Sequence, residues 1–280
     1  MKSRYGIVKW SAAALSMLAV VLLGTGCASD PEGPVRPRKT EVVVIGTVHR
    51  ATEAYDEKVL YSILEELRPG VILTELPPSF YNDDYTLKDF EGGSIEPKVA
   101  RRYAARNGTA LRPYDIAGRN RFYREQDWFD RSRAFTKELG ELYRAKALSP
   151  VGMLHAEKLY TGYNIRDAFA DQSPRFLNSY AFDRIERIKM RLSDEAKTAL
   201  VEAEPELTEH REWVELSIDF WEKRNRRMVE NIVRWAGEFP RHRIVVLTGY
   251  EHGYYLRSGL AEHEKAAGFV QKYHWEITEG

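Results

Sequence analysis

The chain has 280 residues, with 42 lysines and arginines against 42 aspartates and glutamates, 43% hydrophobic residues and 12% aromatics, a composition that excludes a disordered tail and indicates a globular domain. Lys2, Arg4 and Lys9 fall within the first 27 residues, which hold no acid, so the remainder carries a formal charge of −3 and lacks the basic surplus that nucleic acid requires. The single cysteine excludes an intramolecular disulfide and a thiolate zinc site, so the fold rests on its apolar core.

Residues 1–27 read as an export signal: a basic start to Lys9, a 14-residue apolar run from Trp10 to Leu23, then Gly24-Thr25-Gly26 before Cys27. As a helix the apolar run reaches about 21 Å, short of a hydrocarbon core of about 30 Å, so a cleaved signal is expected in place of a permanent span. The segment resembles a bacterial lipobox, with Leu23 four residues before Cys27 where three is usual. Lipidation of Cys27 is therefore expected, with a lipid-anchored cell-envelope location, and Ala28 after it favours an outer membrane facing the periplasm in a Gram-negative cell. Residues 28–39, with Pro31, Pro34 and Pro37, read as an extended linker.

The domain itself is expected over residues 40–280. Glu41–Thr47 is almost continuously apolar and β-branched, as a strand buried on both faces of a parallel sheet requires. Val59, Leu60, Ile63, Leu64 and Leu67 then recur at helical spacing from Glu53 to Leu67, and Pro69-Gly70 ends that helix. Val71–Leu76 reads as a second strand, completing a βαβ unit. A third unit follows, with a helix from Lys98 to Arg106, Gly108 as its stop, and a strand from Thr109 to Tyr114 ending at Asp115. Residues 122–237 are helical and charged throughout. Arg243–Gly249 returns to a buried strand, followed by a helix from Tyr254 to Ala267 and an edge strand from Phe269 to Thr278. The predicted fold class is α/β, a mostly parallel sheet with flanking helices, split by a large all-helical insertion.

In an open parallel sheet, ligands bind beyond the carboxyl ends of the strands. Three predicted strands end in residues with chemistry: Gly46-Thr47-Val48-His49, Thr74-Glu75, and Gly249-Tyr250-Glu251-His252. Two GxxH tetrads and a carboxylate thus share one edge of the sheet, although His49 and His252 are 203 positions apart. Two imidazoles and a carboxylate form the open three-ligand shell of a hydrolytic divalent-metal site. Without metal, one histidine held by Glu75 acts as general base on water while the other binds a developing oxyanion. Asp115 is either a ligand or histidine orienter at the site, or a helix N-cap before Ile116. Glu251 is either a second acid or a surface residue, and His155, His210, His242, His263 and His274 are expected to face solvent. Phe122-Tyr123 and Trp128-Phe129 read as core or as the lining of a pocket.

Val44-Ile45-Gly46-Thr47-Val48-His49, the strand end at Glu75, Arg224-Asn225 in the last long helix and Val246-Leu247-Thr248-Gly249-Tyr250-Glu251-His252 together resemble the TraB/GumN/Tiki superfamily, to which ChaN-like haem-uptake lipoproteins and erythromycin esterases also belong. The likeness runs from Glu41 to about Leu260 in pattern and order; Tyr250-Glu251 depart from the small residues common there. It implies His49, Glu75 and His252 as catalytic or metal-binding residues, with Arg224 and Asn225 orienting substrate or the groups behind the site. The function it implies is an exported, membrane-tethered hydrolase of peptide or ester bonds, acting on a small-molecule or peptide substrate with or without a divalent metal. The alternative is a ChaN-type lipoprotein that binds haem or an iron complex without turnover.

Overall fold

A computed structural model describes residues 33–278, apart from 90, 91, 93 and 170. The export signal, Cys27 and the first part of the linker lie outside the described residues. Residues 33–39 form neither helix nor strand; Val35 N–H donates to the Arg68 carbonyl at 3.0 Å, and Arg36 hydrogen-bonds the His242 ring.

Among the described residues, five strands form one parallel sheet in the order β3-β2-β4-β1-β5: β1 (Thr40–Thr47), β2 (Val71–Thr74), β3 (Ala110–Pro113), β4 (Arg243–Gly249) and β5 (Phe269–Lys272). The architecture is the predicted α/β class, a parallel sheet between helices with a helical region interrupting it. β1 and β4, the two apolar runs at opposite ends of the domain, pair as central neighbours and are buried throughout. Their register sets Gly46 beside Thr248 and Thr47 beside Gly249, so both tetrads leave the sheet at the same level.

The alternating side chains of these strands feed two cores, one on each face. Val43, Ile45, Ile72, Val245 and Leu247 pack under α1 (Glu57–Leu67) and α2 (Ile95–Asn107). On the opposite face Val42, Val44, Leu73 and Val246 pack against α8 (Arg211–Glu238) and α9 (Tyr250–Ala267). Between β3 and β4 the chain is helical: α3 (Arg119–Glu125), α4 (Trp128–Ala145), α5 (Pro150–Phe169), α6 (Pro174–Leu177), α7 (Tyr180–Ala203), a 3₁₀ segment Pro205–His210, and α8. This region has a core of its own, with Phe135, Leu139, Leu159, Leu200 and Trp213 among its buried residues.

Local chemistry sets the element ends. Asp56 starts α1 by accepting from the backbone N–H groups of Lys58 and Val59, four residues later than the predicted start. Gly108 ends α2 in the left-handed conformation, as expected of a glycine after the last helical turn. Other boundaries also correct the sequence reading: β2 stops at Thr74, two residues short of the expected Leu76. The terminal strand stops at Lys272, and Trp275–Thr278 forms a helical turn (α10) where an edge strand was expected. Helix α9 begins at Tyr250, four residues before its predicted start, so His252 stands in the first helical turn.

Candidate functional site

Glu75 follows β2 directly and is the centre of the site. Its Oε2 accepts from the Gly249 backbone N–H at 2.7 Å and from Thr248 Oγ1 at 2.9 Å, at the end of neighbouring β4. Its Oε1 accepts from Arg224 Nη2 at 2.6 Å. Asp115, one residue beyond Tyr114 at the end of β3, accepts from Arg224 Nε and Nη2, each at 2.9 Å. It also accepts from the Ile116 N–H at 2.7 Å and from Arg119. Asp115 is not the helix N-cap that the sequence also allowed, since the next helix starts at Arg119 and is capped by Gly118; the group it orients is an arginine, not a histidine.

Arg224 reaches this edge from the middle of α8 and is buried between the two carboxylates. Its Nη1 also lies 3.1 Å from His252 Nε2. A guanidinium only donates, so Nε2 carries the lone pair and the imidazole proton sits on Nδ1. That proton is given to Asn225 Oδ1 at 2.6 Å, while Asn225 Nδ2 donates to the Trp221 carbonyl at 2.9 Å. The Trp221 ring stacks on His252 at 4.2 Å. Adjacent residues Arg224 and Asn225 thus hold the two nitrogens of one imidazole, and Glu75 Oε1 lies 3.5 Å from its Nε2.

His49 approaches from β1. It adopts a left-handed backbone, φ 53°, which turns its side chain back over the strand end. Its Nδ1 donates to Glu96 Oε1 at 2.7 Å, since an ionised carboxylate only accepts. Nε2 faces Gly249 so closely that a Cβ there would lie 2.5 Å from it. The glycine that opens the second tetrad thus makes room for the histidine that closes the first. Gly46 is equally constrained, because a Cβ would meet Tyr250 Cα at 3.1 Å, and Asn178 clamps its backbone from both sides through Gly46 N–H and C=O.

Sequence reasoning missed Glu96. It lies in the first turn of α2, which starts three residues before the predicted helix, and it is buried while accepting from Thr47 and Ser94 hydroxyls as well as from His49. An acid next to Ser94 before an apolar helical run was the available signal, because carboxylates favour a helix N-terminus. Asn178, from the helical region, left no such trace.

The charges at the site separate the two histidines. Burial lowers the His49 pKa, but the hydrogen bond and attraction of Glu96, with Glu75 adding, raise it overall to about 9. His252 is fully enclosed; burial and the nearby Arg224 lower it to about 4 against the pull of Glu75. At neutral pH the first is an imidazolium and the second is neutral. Burial would raise the Glu75 carboxyl, yet His252, Arg224, His49 and the Gly249 N–H hold it well below the usual carboxylate range. Glu96 is likewise lowered, chiefly by His49 acting against burial.

The structure therefore brings together Glu75, His252, Arg224, Asn225 and Asp115, with His49 at the same strand ends. Their arrangement does not fit a divalent ion held by His49, Glu75 and His252. Arg224, itself a cation, occupies the His252 lone pair and one oxygen of Glu75, while Gly249 and Thr248 occupy the other. Among the described residues, the side chains that gather like metal ligands are Glu138, Glu209 and His210, in the helical region. His210 is buried there against Glu138 at 2.8 Å, and so corrects the expectation that it faces solvent. Glu251 points to Lys189 of α7 at 2.9 Å and takes no part in the site. Phe122, Tyr123 and Trp128 pack on one another and on Phe220, leaving Phe129 exposed.

Comparison with models of known families, with curated proteins and with solved structures finds no match to this chain. The likeness to the TraB/GumN/Tiki superfamily thus rests on the motifs themselves, and the site must be read from its own geometry.

Proposed function

We propose that the chain is a hydrolase of ester or peptide bonds, exported and tethered to the cell envelope through Cys27, in which His49 activates water without a metal. The observation that carries this reading is the His49–Glu96 pair. A carboxylate fixes Nδ1–H at 2.7 Å, which leaves Nε2 directed at the strand ends where Glu75 and Gly249 lie. That is the geometry of a general base with its orienting group. The His49 side chain is about half exposed, 53%, so water and substrate reach it, whereas His252 is enclosed.

The roles then divide by charge. In its neutral form His49 takes a proton from water at Nε2, and the resulting imidazolium is stabilised by Glu96 and Glu75. Arg224, buried between Glu75 and Asp115, keeps both carboxylates ionised at the strand ends. His252 cannot exchange a proton near neutral pH while Arg224 and Asn225 hold both of its nitrogens; it positions Arg224. The expected orienter of the base, Glu75, instead ties the end of β4 to the middle of α8.

Assay of the purified chain on a panel of activated esters and short peptides between pH 6 and pH 10 tests the proposal. Turnover is expected in the wild type and its loss in His49→Ala, with circular dichroism unchanged. Undiminished turnover in His49→Ala refutes it, and so does a wild type that hydrolyses nothing on the panel but develops a haem Soret band that His49→Ala removes.

A further inference from the structure

Beside Asp115 lies a groove of about 600 Å³ whose charge the hydrolytic reading leaves unused. One wall is α8, where Lys223, Arg226, Arg227 and Arg234 recur three, four or seven residues apart and so share a face; all four are exposed. The other wall is the chain after β2 and β3, including Pro78 and the Asp115–Ala117 segment, at the carboxyl edge that carries Glu75. Asn231 of α8 donates to the Tyr114 carbonyl at 2.9 Å and fixes one wall against the other.

Four cations line the groove against two carboxylates, Asp115 and Glu230. Its buried carboxylate, Asp115, is already neutralised by Arg224 and Arg119. Arg226, Arg227 and Arg234 each pair with a glutamate of their own helix, at 3.3, 2.7 and 2.8 Å, but exposed pairs of this kind contribute at most about 1 kcal/mol and exchange readily for a better anion. Lys223 has no ion pair or hydrogen bond among the described residues.

We propose that this groove binds the anionic part of the substrate, a group with two or more negative charges such as a phosphate or clustered carboxylates. The inference rests on the hydrolytic reading of the site, which the groove meets at Asp115, the carboxylate that Arg224 holds. Arg227 and Lys223 are the residues that select for charge.

Isothermal titration of the full chain with inorganic pyrophosphate and with citrate tests it, using wild type, the double variant Lys223→Gln/Arg227→Gln, and His49→Ala. Wild type binds at least one of the two anions. Binding is weakened about tenfold or more in the double variant, as expected for charge-assisted hydrogen bonds, and falls with added salt. His49→Ala binds as wild type does. Preference for pyrophosphate assigns a phosphate-type substrate and preference for citrate a carboxylate type. No binding in wild type, equal binding in the double variant, or loss of binding confined to His49→Ala overturns the proposal. The titration reads no turnover, so an inactive hydrolase that still binds anions leaves this inference standing, whereas ester hydrolysis without anion binding removes this inference alone.

Discussion

Replacing Glu96 by Gln removes the charge that holds His49 protonated while keeping the size of the side chain and an acceptor for Nδ1–H. With a pKa of about 9, only about 1% of His49 is in the neutral, proton-accepting form at pH 7. Without the Glu96 charge the imidazole returns toward its ordinary value of about 6.5, and roughly three quarters of it is neutral at pH 7. The variant therefore gains base population at neutral pH while losing basicity and orientation, and a positioned general base contributes about 10² or more to rate. The two effects nearly cancel at pH 7 and separate above it. In a profile of kcat/KM against pH, the wild type should rise about tenfold per unit up to pH ~9, whereas Glu96→Gln should be flat above about pH 6.5, with a plateau roughly 10²-fold lower. A wild-type profile that is flat between pH 7 and pH 9, or a variant whose rise still ends near 9, refutes the assignment of His49 as base and Glu96 as its orienter.

Other consequences of the same geometry are open to measurement. Gly249→Ala sets a methyl 2.5 Å from His49 Nε2, so turnover should be lost while the urea midpoint shifts little; wild-type turnover would contradict the close approach. Arg224→Met leaves Glu75 and Asp115 as buried carboxylates without their shared cation and should cost about 3–5 kcal/mol in urea denaturation, a loss that a change under 1 kcal/mol would rule out. Stability should peak near pH 6.5. Between pH 6.5 and 4 the unfolded chain takes up a proton that native His252 refuses, so stability falls as pH drops; between 6.5 and 9 native His49 retains a proton the unfolded chain has lost, so it falls as pH rises. A urea midpoint that climbs steadily from pH 6.5 to 9 would contradict this. Exhaustive chelation should leave hydrolysis unchanged, and recovery of a chelated, inactive protein by a divalent ion would show that a metal takes part.

Much of this arrangement is visible in the bare sequence. The runs Glu41–Thr47 and Arg243–Gly249 are so uniformly apolar that only a central place in a parallel sheet suits them, and their pairing carries His49 and His252 to one edge. Glu75 was legible for the same reason, as the one charged residue in the apolar run Val71–Leu76. The parts that escaped belong to helices whose starts are set by capping and not by hydrophobic period. The predicted helix from Lys98 begins just after Pro97, although a proline is well tolerated in a first helical turn, and so Glu96, the partner of His49, went unseen. The turn from β4 into α9 has no spacer at all, and no periodicity marks the residue where strand becomes helix. Arg224 appeared as one of several neighbouring cations; only the burial of its face of α8 between Glu75 and Asp115 separates it from Lys223, Arg226 and Arg227.

The most direct test of the shared, charged centre is the titration of its two imidazoles by NMR in the intact chain. His49 should remain protonated up to about pH 9 and His252 should stay neutral down to about pH 4. Two histidines that both titrate near their ordinary value of about 6.5 would mean that Glu96, Glu75 and Arg224 do not surround them as described, and would contradict the account.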